Sequence, residues 1–130
     1  MFTINSNTAS ALFQARERLY ATGYAALAER NLDLALEAFG LMAAVSPFEE
    51  RPWIGLGAAH EQNRNWSAAA GFYRMGRSVA GHSVWPLIGE ARALAALGRR
   101  AEAEGLLEQA LELTSERSIA EQIENLRGQL

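Results

Sequence analysis

The chain has 130 residues, 49% of them hydrophobic and 21% charged, with a net charge of −3. That composition suits one folded domain or a short array of repeats and argues against wholesale disorder. All twelve basic residues are arginine and none forms a basic stripe, which argues against a nucleic-acid binder; the absence of cysteine excludes disulfides, zinc–thiolate sites and thiol catalysis.

The start, Met1 to Asn7, has neither a basic head nor an uninterrupted apolar run, so no secretory signal is expected. No stretch approaches the roughly eighteen apolar residues that a membrane span needs. Both readings point to a soluble, intracellular chain without stable membrane insertion.

Taken in chain order, helices are expected over 9–29, 32–45, 50–63, 66–79, 84–97 and 100–114, with residues 8–15 adding two turns to the first and offering Leu12 and Phe13 for packing. Gly98 stands where a helix end relaxes to positive φ. Arg30 and Arg64 hold the equivalent places, each followed by an asparagine, Asn31 and Asn65, a residue type that tolerates that conformation. Pro52 and Pro86 fall near helix starts, where a missing N–H does little harm. Ser46 to Glu49 and Ser118 to Glu121 both have capping-box spacing. A last helix over 117–127 puts Ile119, Ile123 and Leu126 on one face and polar residues on the other, which suits it to cover the open end of a stack.

The same small-residue pattern returns every 34 residues: Gly23, Gly57, Ala91; Ala35, Ala69, Ala103; Phe39, Tyr73, Leu107; Met42, Gly76, Ala110; with Pro47, Gly81 and Ser115 at the ends. Two antiparallel helices that cross closely need a small residue on each at the crossing, and the space beside it takes Phe39, Tyr73 or Leu107. A period of this length with these residue types resembles the tetratricopeptide repeat. The expected fold is therefore all-α: three helical hairpins in a right-handed superhelical array plus a C-terminal capping helix. The units are residues 1–15 as an extension of the first helix, 16–49, 50–83 and 84–115 as repeats, and 116–130 as the cap. Trp53, Leu56 and Trp66 read as packing residues, as Leu19 and Leu32 do in the first copy.

Little in the chain carries reaction chemistry. His60 reads as a packed histidine, and His82 lies in a loop with no nucleophile beside it. Two histidines without an acidic cluster make no convincing metal site. The carboxylates read as solvent-facing, Glu102, Glu104, Glu108 and Glu112 among them, and Gly55-Leu56-Gly57 lacks phosphate-loop spacing. No enzyme activity, metal or cofactor is expected.

In the register of the repeat family, the first helix of each pair builds the concave wall. The resemblance places Tyr20, Tyr24 and Leu27 there from the first copy, with Glu17, Ala21 and Ala28. Ile54, Ala58, Glu61 and Gln62 come from the second, with Arg51 and Gly55, and Trp85, Ile88 and Arg92 from the third, with Gly89, Ala95 and Ala96. Large apolar side chains between alanine and glycine make pockets suited to an extended peptide with spaced apolar anchors. The core of the first copy is already filled by Leu19, Gly23, Ala26, Leu32, Ala35 and Phe39, so a second apolar face needs another partner. Co-chaperone members of the family clamp a C-terminal carboxylate with lysine, asparagine and arginine. The corresponding positions here are Tyr20, Tyr24, Gly55, Trp85 and Gly89, so the resemblance gives no support for that role.

The segment Arg51 to Gly76, RPWIGLGAAHEQNRNWSAAAGFYRMG, and the pair Trp85-Pro86 are similar to the class II (low-calcium-response family) chaperones of bacterial type III secretion, over about residues 16–113. That resemblance implies a bacterial cytoplasmic chaperone whose groove holds an extended apolar segment of a secreted, hydrophobic translocator or other export client, keeping it soluble before export. The alternatives are a small chaperone for needle subunits or early substrates, or a generic protein–protein scaffold. A homodimer is left open, because familiar members associate through a longer N-terminal helical region than residues 1–15 provide.

Overall fold

The computed structural model describes residues 5–130; residues 1–4, the start of the expected extension 1–15, lie outside them. The described residues form seven helices and no strand: α1 Ser6–Ala28, α2 Leu32–Val45, α3 Glu50–Gln62, α4 Trp66–Val79, α5 Val84–Ala96, α6 Arg100–Leu113 and α7 Arg117–Gly128. Among the described residues no helix is long and apolar enough to cross a membrane.

Consecutive helices pair as hairpins, α1 with α2, α3 with α4 and α5 with α6, and each hairpin leans on the next. Helices α1, α3 and α5 also touch one another in turn. They form one continuous wall, and this is what places residues 34 apart side by side.

Each hairpin turn is made the same way. The N–H groups of Asn31, Asn65 and Arg99 donate to the carbonyls of Ala26, His60 and Leu94, all at 2.9 Å, and those of Arg30, Arg64 and Gly98 donate to Leu27, Glu61 and Ala95. That double bond pattern is the Schellman motif, whose C′ residue must be left-handed. Arg30 (φ 57°), Arg64 (φ 55°) and Gly98 (φ 81°) carry that conformation themselves. The asparagines beside them have a different task from the one expected: Asn31 and Asn65 cap α2 and α4, accepting from the N–H groups of Leu34 and Ala68. Both expected capping boxes are also absent. Ser46 is the C-cap residue of α2 while Glu49 is the N-cap residue of α3, and α7 starts from Glu116 with Ser118 already inside its first turn; neither start has a side-chain cap.

The small residues are explained by two buried rings. Phe39 and Tyr73 are 1% and 2% exposed. A Cβ added at Gly23 would come within 2.7 Å of the Phe39 ring, and one at Gly55 within 2.5 Å. For Tyr73 the matching glycines are Gly57 at 2.8 Å and Gly89 at 2.5 Å. Each ring is thus held between a glycine of its own hairpin and a glycine of the next, and packing at interior density leaves no room for a methyl group on either side. Leu107 holds the third ring position, and buried Ile119 and Ile123 of α7 close the core beyond it.

Among the carboxylates, Glu90 departs furthest from the expected solvent faces. Glu90 on α5 is 1% exposed and accepts from Arg77 Nε at 2.6 Å and Arg74 Nε at 3.1 Å, both on α4. A buried acid without partners would cost several kcal/mol; these arginines, still partly in water, satisfy it and fix α5 against α4. His60 stacks on Phe72 with ring centroids 5.2 Å apart.

Candidate functional site: a concave groove

The wall of α1, α3 and α5 aligns its residues in rows one repeat apart: Glu17, Arg51 and Trp85; Tyr20, Ile54 and Ile88; Tyr24, Ala58 and Arg92; Leu27, Glu61 and Ala95. Along these rows runs a cavity of about 510 Å³. Of the residues expected on the inner wall, Tyr20, Tyr24, Leu27, Ile54, Ala58, Trp85, Ile88 and Arg92 all line it. Glu61 and Gln62 line an adjoining hollow of about 480 Å³ that shares Ala58, Tyr73 and Arg92 with the first.

The lining residues differ in how far they are free. Tyr24 and Trp85 are 63% and 46% exposed, so both present apolar surface that the chain leaves uncovered. Tyr20 is half-buried, its ring 6.3 Å from Phe39 and 6.0 Å from Tyr24. Ile88, expected on the open wall, is 3% exposed and belongs to the core. Gly55 and Gly89, expected there too, are buried against the rings, and of the two only Gly55 still lines the cavity. The rings themselves are expected in the hairpin interiors; Phe39 and Tyr73 in fact line the groove as well. The sequence signal was the second glycine series, Gly55 and Gly89, which repeats at the same 34-residue interval as Gly23 and Gly57.

Two ion-pair clusters flank the apolar stretch. At one end Arg51 donates both terminal nitrogens to Glu17, at 2.9 and 3.0 Å, makes a close contact with Glu49, and lies over the Tyr20 ring at 4.5 Å. The hydrogen bonds from Arg51 hold the Glu17 carboxyl below its ordinary range. At the other end Arg92 donates to Glu61 at 2.8 and 3.1 Å, and the Tyr73 hydroxyl donates to the same carboxylate at 2.6 Å. Burial first, and the neighbouring Glu61 charge second, push the Tyr73 hydroxyl above its ordinary value. Gln62 donates to the Leu27 carbonyl at 2.8 Å, tying α3 to α1. Arg51 and Arg92, the arginines of the larger cavity, are therefore already matched by carboxylates of the chain itself, whereas Arg30 and Arg64 at the adjoining hollow are exposed.

Solved structures with the same arrangement include the Yersinia enterocolitica type III secretion translocator chaperone SycD, with a TM-score of 0.84 and 20% identity over 89% of this chain and 91% of that one. A second structure of SycD, in complex with a peptide of the translocator YopD, matches with a TM-score of 0.81 and 20% identity over 87% and 89% of the two chains. The TPR2B domain of yeast Sti1, described in complex with an Hsp70 peptide, matches with a TM-score of 0.82 and 20% identity over 88% and 94%. Comparison with curated proteins finds no match. The family model described as Protein kinase G tetratricopeptide repeat matches residues 6–123. With nearly every described helix inside that match and the glycine-clasped hairpins repeating through it, the chain belongs to this tetratricopeptide-repeat family.

Proposed function

We propose that the chain is a bacterial cytoplasmic chaperone of the type III secretion class, binding an extended apolar segment of a hydrophobic translocator in its concave groove and keeping it soluble before export. The observation that carries this is the groove itself: an apolar hollow of about 510 Å³ where Tyr24 and Trp85 stand exposed although the hairpin cores behind them are already full. Burying a few spaced anchors offsets the ordering cost of a disordered segment and leaves it removable. The likeness to SycD, one structure of which holds a translocator peptide, supports the reading. No reacting group, metal or nucleotide takes part in it.

A second reading, a generic tetratricopeptide scaffold, has the comparably good fit to the yeast Sti1 domain in its favour. One form of it, capture of an acidic C-terminal peptide, is disfavoured by the charges lining the larger cavity. Arg51 and Arg92 are engaged by Glu17 and Glu61, so an incoming carboxylate would have to displace one already in place.

The test is co-expression with a translocator protein of the same host. The translocator is expected in the soluble fraction beside the wild-type chain and in the insoluble fraction beside Tyr24→Asp or Ile54→Asp, with helical circular dichroism unchanged in both variants. Solubility maintained by the variants would overturn the groove assignment. Loss of helicity in step with loss of binding would place those side chains in the core. An acidic peptide such as SRMEEVD, described with another repeat domain of this fold, is expected not to bind.

A further inference from the structure

Among the carboxylates around the groove, Glu50 stands apart. Glu17 and Glu49 share Arg51, and Glu61 holds Arg92 and the Tyr73 hydroxyl. Glu50 also lines the cavity, yet one of its carboxylate oxygens is buried without a hydrogen-bond partner, and among the described residues no arginine pairs with it. Two other unpartnered buried atoms nearby, Arg16 Nε and Glu49 Oε2, lie 3.7 Å from each other and compensate by charge. Glu50 has no such neighbour.

Its position accounts for the negative charge but leaves it unanswered. Glu50 is the first residue of α3, where the partial positive charge of a helix N-terminus favours an anion. Glu50 as a whole is half-buried, so its carboxylate is only partly withdrawn from water, and the enclosed oxygen is open to a donor that a ligand brings. The cations lining the same cavity, Arg51 and Arg92, are committed, and the chain as a whole carries a net charge of −3 with no lysine. The donor best matched to this site therefore comes from outside and is positive.

We infer that Glu50 selects for a basic residue in the bound segment, so that the groove takes an extended peptide carrying apolar anchors together with one lysine or arginine. This rests on the groove reading above and adds a charge requirement to it. Apolar side chains sit over Tyr24, Ile54 and Trp85, and the ammonium or guanidinium group meets the Glu50 carboxylate at the start of α3. Charge-assisted hydrogen bonds at a partly dry site are stronger than neutral ones. The same carboxylate repels acidic segments, so discrimination has a repulsive as well as an attractive part.

The experiment is selection of a phage-displayed random dodecapeptide library on the purified wild-type chain, on Glu50→Gln and on Glu50→Lys. Circular dichroism confirms that each variant is helical. Wild type is expected to enrich peptides with spaced apolar residues and one Lys or Arg; Glu50→Gln should keep the apolar enrichment and lose the basic one, and Glu50→Lys should turn it towards Asp or Glu. A second measurement needs no variant: replacing the basic residue of a selected peptide by methionine is expected to weaken binding to wild type by about tenfold. Apolar enrichment with no basic preference, or with equal preference on wild type and Glu50→Gln, would refute the role of Glu50 and leave the groove reading standing. Absence of any apolar enrichment would remove both.

Discussion

Two arginines carry the left-handed backbone that the hairpin turns demand, at a position where glycine is the unstrained choice. Arg30 and Arg64 sit at φ near 57° and 55°, while the third turn has Gly98. Because the side chains at these sites are exposed, substitution touches the backbone and little else. Arg64→Gly should relieve left-handed strain of about 1 kcal/mol, partly offset by the greater freedom of glycine in the unfolded chain. The net expectation is a small rise in melting temperature, roughly 2–4 °C, in a thermal circular dichroism scan. A fall would mean that Arg64 makes a stabilising contact through its side chain.

At the level of helices, contact between hairpins runs through the glycine clasps. Tyr73 lies between Gly57 on α3 and Gly89 on α5, so a methyl group on either helix meets a ring that has nowhere to move. Gly89→Ala should therefore cost about 1–3 kcal/mol by overpacking. Gly71, in the same α4 as Tyr73, has nothing within 4 Å of an added Cβ. There Gly71→Ala should stabilise by up to about 1 kcal/mol, because alanine is the better helix former. Urea melts of the two variants are expected to move in opposite directions. Parallel shifts would contradict the clasp.

For the array as a whole, Tyr73 links stability to alkaline pH. Its hydroxyl is held above the ordinary tyrosine value by burial and by Glu61. In the unfolded chain a tyrosine loses its proton near pH 10, while in the folded array Tyr73 keeps it. The contribution is therefore complete below about pH 10 and declines as pH rises from there towards the folded value. Denaturant melts at neutral and alkaline pH should show the decline, and Tyr73→Phe should reduce its slope. At neutral pH that substitution should cost about 1 kcal/mol through the lost hydrogen bond to Glu61. An unchanged slope would mean that the hydroxyl titrates as freely folded as unfolded.

The sequence by itself determined the helices, their pairing and the all-α repeat architecture, because small residues returning every 34 positions state where helices must approach. It also indicated most of the residues lining the hollow, since Tyr20, Ile54 and Ile88 share one register. Tertiary structure alone decided which of them are free: Ile88 is buried because α5 packs on both sides, whereas Tyr24 on the first wall helix remains open. It decided the charges as well. Glu61 with Arg92 and Glu90 with Arg74 and Arg77 are pairs between helices, and Glu50 lacks one. Periodicity records which face a residue occupies along its own helix; what meets that face depends on where other helices lie, and only the folded array fixes that.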